Sequence, residues 1–145
     1  MSGHCYSEIN LHVTWHVKDN APVLRDDLEK QVHGHLRRRA AETAGLLCHE
    51  VGGTDDHVHL VVSTPPTLCI SEWIGRMKGA SSHYINQMIA NRKVLQWQTG
   101  YGVVSFGTRD LAWVVEYVRR QREHHAAGTT HERLERIEDD PGEAP

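Results

Sequence analysis

The chain lacks long hydrophobic runs, and its cysteines are few and unpaired. No apolar stretch in its 145 residues approaches the length of about 20 that a transmembrane helix needs. The N-terminus, MSGHCYSEINLH, does not have the basic-then-apolar order of a signal peptide. Cys5, Cys48 and Cys69 form no C-x-x-C pair, which argues against a disulfide framework and a thiolate zinc site. These absences predict a cytoplasmic protein with no membrane partner.

The chain also lacks a net positive charge, since its net charge is −3. Phosphate binding usually requires a basic surface. The charges are unevenly distributed along the chain. Acidic residues gather in the C-terminal segment ERIEDDPGEAP, while RRR at residues 37–39 and RRQR at residues 119–122 are basic. A polyanion could therefore still find a positive face, although a single basic run is more often an ordinary solvated helix face.

Hydrophobic periodicity predicts an alternating α+β order. INLHVTWHVK, LLCHEVGG, HVHLVVS and GYGVVSF have the patterns of strands, and helical spacing follows Arg25, Ser71 and Thr108. The order strand, helix, strand, strand, helix, strand is that of a ferredoxin-like or RRM-like sandwich. We expect a four-stranded antiparallel sheet with helices on one face and an additional C-terminal helix. One domain would cover residues 1–136, followed by a flexible acidic tail at 137–145, and the last fifteen residues would be frayed.

The third predicted strand carries two histidines that are one residue apart. Side chains alternate along a strand, so His57 and His59 point to one face and the apolar residues beside them point to the other. If the apolar side packs on the first two helices, the two imidazoles line the open face. From this pattern alone, a metal site and a pair of ordinary hydrogen-bonded histidines are about equally plausible. By the same alternation, His12 and His16 share a face, where either could position a phosphate or support a metal ligand.

The third predicted helix adds a tyrosine and a glutamine at helical spacing. Tyr117 and Gln121 are four residues apart, which places them on one helix face with Cβ atoms about 5–6 Å apart. An amide oxygen is a neutral ligand for a cation such as Mg²⁺ or Mn²⁺. A phenol beside that cation could attack a phosphorus atom. Taken alone, the two residues would more often be a packed tyrosine and a surface glutamine, and Tyr84 is the strongest rival as nucleophile.

Four segments together resemble one known family. DDHVHLVV, RMKGASSHYIN, WQTGYGVVSF and VVEYVRRQREHH are similar in order and spacing to HUH single-tyrosine transposases of small bacterial insertion sequences, the transposase IS-two-hundred-like family. The resemblance runs from about residue 6 to residue 136. It implies a ferredoxin-like homodimer that cuts and rejoins single-stranded DNA at hairpin-bearing element ends through a 5′-phosphotyrosine intermediate. The apolar residues of INLHVTWHV and the third helix exceed the needs of one small core, which also favours a homodimer.

The resemblance assigns roles to residues by position. His57 and His59 match the HUH pair, Tyr117 matches the nucleophile, and Gln121 matches the third ligand of a Mg²⁺ or Mn²⁺ ion. Other polar and basic side chains near these motifs are candidate DNA contacts, although each could equally be a solvated helix residue. They are Lys78, Ser81, Ser82, Asn86, Arg119, Arg120 and Arg122.

Two other functions stay open on the sequence alone. A domesticated relative could bind or nick hairpin DNA without transposition, although an intact Tyr117 argues against a loss of chemistry. A non-catalytic ferredoxin-like module could bind nucleic acid or metal on the open sheet face. Such a face is expected to carry stacking aromatic residues, and this sequence has histidines there instead.

Overall fold

Four strands and five α-helices form the computed structural model, which describes residues 5–138. The elements are β1 Asn10–His16, α1 Asp26–Ala41, β2 Leu47–Gly53, β3 His57–Ser63, α2 Ile70–His83, β4 Gly102–Phe106, α3 Leu111–Arg119, α4 Gln121–Ala127 and α5 Glu132–Glu135. All strand pairs are antiparallel, and the sheet order is β2-β3-β1-β4. The predicted ferredoxin-like α+β fold is therefore confirmed. Within the described residues, no helix has the length and apolar character needed to cross a bilayer.

The main core lies between the sheet and helices α1 and α2. Alternation along β1 and β3 sends the large apolar side chains to this face, where full burial contributes about 1.5–3 kcal/mol for each. Its central residues are Leu11, Val13, Trp15, Val32, Leu36, Val58, Leu60, Val62, Trp73, Ile74 and Met77. Because these side chains fill one face, the residues at the alternate positions must point to the other.

The opposite face of the sheet holds the polar strand residues and a smaller core. Helix α3 lies against β2 and β3, and α5 lies against β1 and β4. The smaller core consists of Val61, Val114, Tyr117, Val118 and Leu134. The third predicted helix therefore covers the face that carries the paired histidines.

The third predicted helix is in fact two helices. Arg120 separates α3 from α4 with φ −107° and ψ 32°, which lie outside the helical region. The prediction of one continuous helix was therefore wrong. Arg122 donates to Asp55 at 2.6 Å and to Glu29 at 2.9 Å, so contacts distant in sequence hold α4 in its new direction. A helix break made by tertiary contacts leaves no glycine or proline to mark it.

The C-terminal segment forms a helix, α5, that the sequence pattern did not predict. Leu134 is buried in the smaller core, and Arg133 donates to the carbonyl oxygen of Ser105 at 2.8 Å. Glu138 forms an isolated antiparallel bridge with Tyr101. The expectation of a frayed end is thus wrong for α5. Of the tail expected at residues 137–145, residues 139–145 lie outside the described part of the chain.

Gly52 allows the end of α3 to approach strand β2 closely. A Cβ atom at this position would lie 2.2 Å from the carbonyl oxygen of Val118, a backbone atom that cannot rotate away. We expect Gly52→Ala to lower the free energy of unfolding by about 1–3 kcal/mol, as overpacking does elsewhere. Gly34→Ala on α1 is the matched control, because its Cβ would meet no atom within 4 Å. Chemical denaturation checks both, and a Gly52→Ala variant as stable as the wild type would contradict this packing.

Candidate metal centre and tyrosine site

His57 and His59 lie side by side on the open face of β3, as the alternation predicted. Both are buried, with 2% and 0% of their surface exposed, and their ring centroids are 4.9 Å apart. The Nε2 atoms of His57 and His59 lie 3.5 Å and 3.2 Å from Oε1 of Glu135 on α5. The two imidazoles therefore point away from the main core and toward the C-terminal helices.

The second ring nitrogen of each histidine has a partner in the protein. Oδ1 of Asp56 lies 2.7 Å from Nδ1 of His57, and Nε2 of His12 lies 2.6 Å from Nδ1 of His59. Such contacts fix the orientation of an imidazole and leave the opposite nitrogen for a ligand. His12 thus occupies a supporting position behind the pair. His16 instead stacks on His57, with ring centroids 4.7 Å apart.

The pKa values of His57, His59 and Glu135 are shifted in different directions. Burial lowers the pKa of His57, but its bonds to Asp56 and Glu135 outweigh burial and raise the pKa to about 9. Burial lowers the pKa of His59 to about 4. Burial also raises the pKa of the Glu135 carboxyl, but contacts with His57 and His59 reverse this effect and hold the pKa well below its usual range. Glu135 is therefore an ionised carboxylate, and a protonated His57 must release its Nε2 proton before that nitrogen can bind a cation.

Five side chains bring possible metal-ligand atoms to one point. The nitrogens of His57, His59 and His125 and a carboxylate oxygen of Glu135 all lie within 4.8 Å of one another. Oε1 of Gln121 lies 3.4 Å from Nε2 of His57 and 3.1 Å from Nε2 of His125. The structure thus brings together His57, His59 and Gln121, the three ligands that the resemblance implied.

These donors fit the divalent cation that the family resemblance implies. Imidazole nitrogen, carboxylate oxygen and amide oxygen are all ligands for divalent metals in proteins. Nε2 of His59 is fully buried, and although it lies 3.2 Å from Oε1 of Glu135, it makes no hydrogen bond of acceptable geometry among the described residues. An unsatisfied buried nitrogen costs about 1–3 kcal/mol, and a bound cation would remove that cost.

Two residues of the cluster, His125 and Glu135, were missed by the sequence analysis. His125 follows Gln121 by four residues, which is the spacing that had already linked Tyr117 to Gln121. This spacing could have indicated His125 as a ligand. The chain has twelve histidines, however, and the spacing alone did not distinguish His125 from the others. Glu135 lies on the unpredicted α5, so no sequence signal placed it near the strand histidines.

Tyr117 lies at the edge of this cluster and is only 2% exposed. Its hydroxyl donates to Oε2 of Glu135 and accepts a hydrogen bond from the backbone N–H of His131 at 3.0 Å. Burial and the hydrogen bond to Glu135 raise the pKa of Tyr117 to about 12. Nε2 of Gln121 lies 3.4 Å from the carbonyl oxygen of Tyr117, so the two residues stay adjacent despite the helix break. Glu135 therefore links the tyrosine hydroxyl to the histidines.

The other tyrosines lie away from the cluster. The ring of Tyr84 stacks on His35 of α1, with centroids 4.6 Å apart, on the far side of the sheet. Tyr6 is 84% exposed, and Tyr101 packs under Lys78. Within the described residues, Tyr117 is the tyrosine in contact with the ligand cluster, which favours it over Tyr84.

The residues predicted to contact DNA on α2 and just after it bind the protein's own backbone. Nζ of Lys78 donates to the carbonyl oxygens of residues 98–100 at 2.8–3.2 Å, and Asn86 bonds the backbone of residues 94 and 95. Ser81 is fully buried and accepts a hydrogen bond from Trp97. This burial corrects the expectation of a phosphate contact at Ser81. Ser82 is only partly buried, and its phosphate contact stays a prediction.

The three arginines around the tyrosine are about half exposed, and each pairs with a carboxylate. Their partners are Glu50 and Glu116 for Arg119, Glu123 for Arg120, and Asp55 and Glu29 for Arg122. Surface pairs of this kind contribute about 0–1 kcal/mol. DNA phosphates can replace the carboxylates at Arg119 and Arg120 at little cost, whereas the pairs of Arg122 also hold α4. Contacts of the three arginines with DNA stay a prediction.

Fold and sequence together place the chain among transposases. The family model described as "Transposase IS200 like" matches residues 5–121. The chain therefore belongs to the IS200-like transposase family, which confirms the resemblance.

A relative and two solved structures agree with this assignment. The transposase for insertion sequence element IS200 of Salmonella typhimurium is 24% identical over 129 residues, covering 81% of this chain and 84% of the relative. A crystal structure described as a transposase of Deinococcus radiodurans R1 has a TM-score of 0.65 and 24% identity, covering 82% of this chain and 94% of the other. The structure of a REP-associated tyrosine transposase bound to a REP hairpin has a TM-score of 0.60 and 13% identity, covering 90% of this chain and 76% of the other. At these identities, the two structures show the fold alone.

Proposed function

We propose that this transposase cuts and rejoins single-stranded DNA at hairpin-bearing element ends, with Tyr117 as the nucleophile. The observation that carries the proposal is the convergence of the Tyr117 hydroxyl with His57, His59 and Gln121, linked by Glu135. The solved tyrosine transposase bound to a REP hairpin supports a hairpin as the DNA partner.

His57, His59 and Gln121 would hold a Mg²⁺ or Mn²⁺ ion at this point. When bound, the cation would polarise the scissile phosphate and stabilise the departing 3′ oxygen. Asp56 and His12 keep the two imidazoles in place through their second nitrogens, so the ligand atoms need little rearrangement to receive the ion.

Tyr117 supplies the attacking oxygen. Its pKa of about 12 makes the neutral phenol a poor nucleophile, so the hydroxyl proton must have an acceptor. The hydroxyl donates a hydrogen bond to Oε2 of Glu135, and because contacts with His57 and His59 hold the pKa of that carboxyl low, the proton must pass on to solvent as the oxygen attacks. The phenolic proton passes by way of Glu135 to solvent as the phenolic oxygen forms a bond to phosphorus, the bond from phosphorus to the 3′ oxygen breaks, and the 3′ oxygen takes a proton from solvent and leaves as a hydroxyl.

Rejoining reverses these bond changes with a different strand. The phosphotyrosine ester retains the energy of the broken phosphodiester, so a second 3′ hydroxyl can displace Tyr117 without ATP. Tyr117 regains its proton when it leaves. Because the Tyr117 side chain is buried beneath His131, that residue, which lies just before α5, must move for a DNA phosphate to reach the hydroxyl.

The experiment that tests the function is covalent capture. The wild-type protein is incubated with labelled single-stranded hairpin DNA and Mn²⁺, denatured in detergent, and separated by size. We expect labelled DNA to migrate with the protein, because a phosphotyrosine ester survives denaturation. The same sequence as a fully paired duplex is the matched control. A protein that only binds DNA would give no adduct, and that result would contradict the proposal.

The family resemblance supports the proposal that the protein is a homodimer. The number of apolar residues in the first strand and the third predicted helix does not support it. The apolar side chains of β1 pack in the main core, and those of α3 pack in the smaller core within one chain except for Trp113, which is 49% exposed. Strand β2 is an edge of the sheet with Leu47 64% exposed, and edge strands pair readily with a second copy. We expect light scattering at micromolar concentration to give the mass of two chains, and the mass of one chain would contradict this.

A further inference from the structure

Two side chains beyond the proposed ligands His57, His59 and Gln121 point into the metal centre. Nε2 of His125 lies 3.3 Å from Oε1 of Glu135 and 3.1 Å from Oε1 of Gln121. The ring of His125 also packs on that of His57, with centroids 4.8 Å apart. His125 and Glu135 are therefore as close to the centre as the residues already assigned to it.

The distances between these atoms are those of neighbouring ligands on one ion. Adjacent ligand atoms of an octahedral site with bonds of about 2.1 Å lie about 3 Å apart. Oε1 of Glu135 lies 3.5, 3.2 and 3.3 Å from Nε2 of His57, His59 and His125. Oε1 of Gln121 lies at similar distances of 3.4 Å from Nε2 of His57 and 3.1 Å from Nε2 of His125, so each donor atom has at least one neighbour at the spacing of two ligands on one cation.

The break at Arg120 explains how two residues of α4 reach the centre. Gln121 and His125 are the first and fifth residues of α4, so they lie one turn apart on the same side of the helix. Arg122 points the other way and holds α4 through Asp55 and Glu29. In this direction of α4, both side chains face the strand histidines.

The composition of the cluster determines which cations it favours. Mg²⁺ prefers oxygen ligands and keeps several waters, whereas imidazole nitrogen binds first-row transition metals more strongly. Three imidazoles and one carboxylate leave few positions for water. His125 and Glu135 are 36% and 18% exposed at the side chain, so the centre is open to an entering ion.

We propose that His125 and Glu135 complete a three-histidine, one-carboxylate centre with Gln121, and that this centre selects a first-row transition-metal ion such as Mn²⁺ over Mg²⁺. The inference rests on the proposed function, because it extends the same metal centre. It adds two ligands to the three implied by the family resemblance, and it makes a choice between two ions that the resemblance leaves open.

The test measures metal binding without DNA, so it does not depend on strand cleavage. Calorimetric titration of the full chain with Mn²⁺ and with Mg²⁺ gives the two dissociation constants. Pulsed electron paramagnetic resonance of the Mn²⁺ complex counts the coordinated imidazole nitrogens. The variants are His125→Ala and the nearly isosteric Glu135→Gln. Their matched controls are His83→Ala, an exposed histidine at the end of α2, and Glu132→Gln on α5 itself.

We expect Mn²⁺ to bind the wild type at least about tenfold more tightly than Mg²⁺. His125→Ala and Glu135→Gln should each weaken Mn²⁺ binding by about tenfold or more, since even indirect partners of a metal contribute about 10–100-fold. The nitrogen count should fall from three to two in His125→Ala and stay at three in Glu135→Gln. Both controls should match the wild type.

The outcomes separate this inference from the proposed function. Wild-type affinity and an unchanged nitrogen count in His125→Ala would overturn the five-ligand centre while leaving His57, His59 and Gln121 as ligands. Equal affinity for Mg²⁺ and Mn²⁺ would overturn the selectivity. Mn²⁺ binding that persists when His57 and His59 are both alanine would contradict the metal centre of the proposed function itself.

Discussion

Replacing both His57 and His59 by alanine should reduce metal-dependent DNA nicking by about a thousandfold or more. Both imidazoles point their Nε2 atoms into the cluster, and no other pair of described side chains enters it from the sheet. A cation that polarises a phosphate contributes several kcal/mol to the transition state, and each 1.4 kcal/mol changes a rate about tenfold. The measurement is the initial rate of cleavage of hairpin DNA across a Mn²⁺ titration.

The control for this double variant is a strand histidine outside the cluster. His49 on β2 bonds Oγ of Ser63 and contributes no atom to the metal-ligand group, so His49→Ala should nick DNA at the wild-type rate. Circular dichroism of the double variant verifies that the sheet forms, because both replaced side chains are buried. A folded double variant that nicks as fast as the wild type would show that the metal centre lies elsewhere.

The fold could be predicted because its strands and first two helices follow local periodicity. In β1 and β3, apolar and polar residues alternate with a period of two, and this pattern alone determines which face carries His57 and His59. The break at Arg120 and helix α5 do not follow from local pattern. The break at Arg120 depends on ion pairs between Arg122 and carboxylates distant in sequence. Helix α5 depends on the burial of Leu134 against the sheet.

The candidate site was predictable in part for the same reason. Strand geometry places His57 beside His59, and the four-residue spacing predicted that Tyr117 and Gln121 are adjacent, which holds despite the break at Arg120. The two pairs meet through the packing of α3 and α4 on the sheet. Glu135 joins them only through the tertiary placement of α5, which periodicity did not reveal. The predicted phosphate contact at Ser81 shows the opposite error, because this hydroxyl accepts a hydrogen bond from the buried indole of Trp97, and residue type alone does not distinguish the two roles.

Tyr117→Phe should eliminate the covalent protein–DNA adduct while preserving hairpin binding. The substitution keeps the ring that packs between α3 and the sheet and removes only the hydroxyl, which bonds Glu135 and the backbone of His131. Loss of those hydrogen bonds should cost about 1–3 kcal/mol of stability, too little to unfold a typical domain. Without the phenolic oxygen there is no atom to attack phosphorus, so the expected adduct is zero. Gel shift measures binding, and denaturing electrophoresis measures the adduct.

Phenylalanine replacements of the other tyrosines test whether the loss is specific to Tyr117. Tyr84 stacks on His35 across the sheet and Tyr101 lies before β4, so Tyr84→Phe and Tyr101→Phe should form the adduct at the wild-type rate. Mass spectrometry of the digested adduct should place the nucleotide on the peptide that contains Tyr117. An adduct that persists in Tyr117→Phe, or a nucleotide mapped to Tyr6, Tyr84 or Tyr101, would contradict the assignment. A Tyr117→Phe protein that has lost hairpin binding as well would instead show that the hydroxyl helps to form the DNA-binding surface.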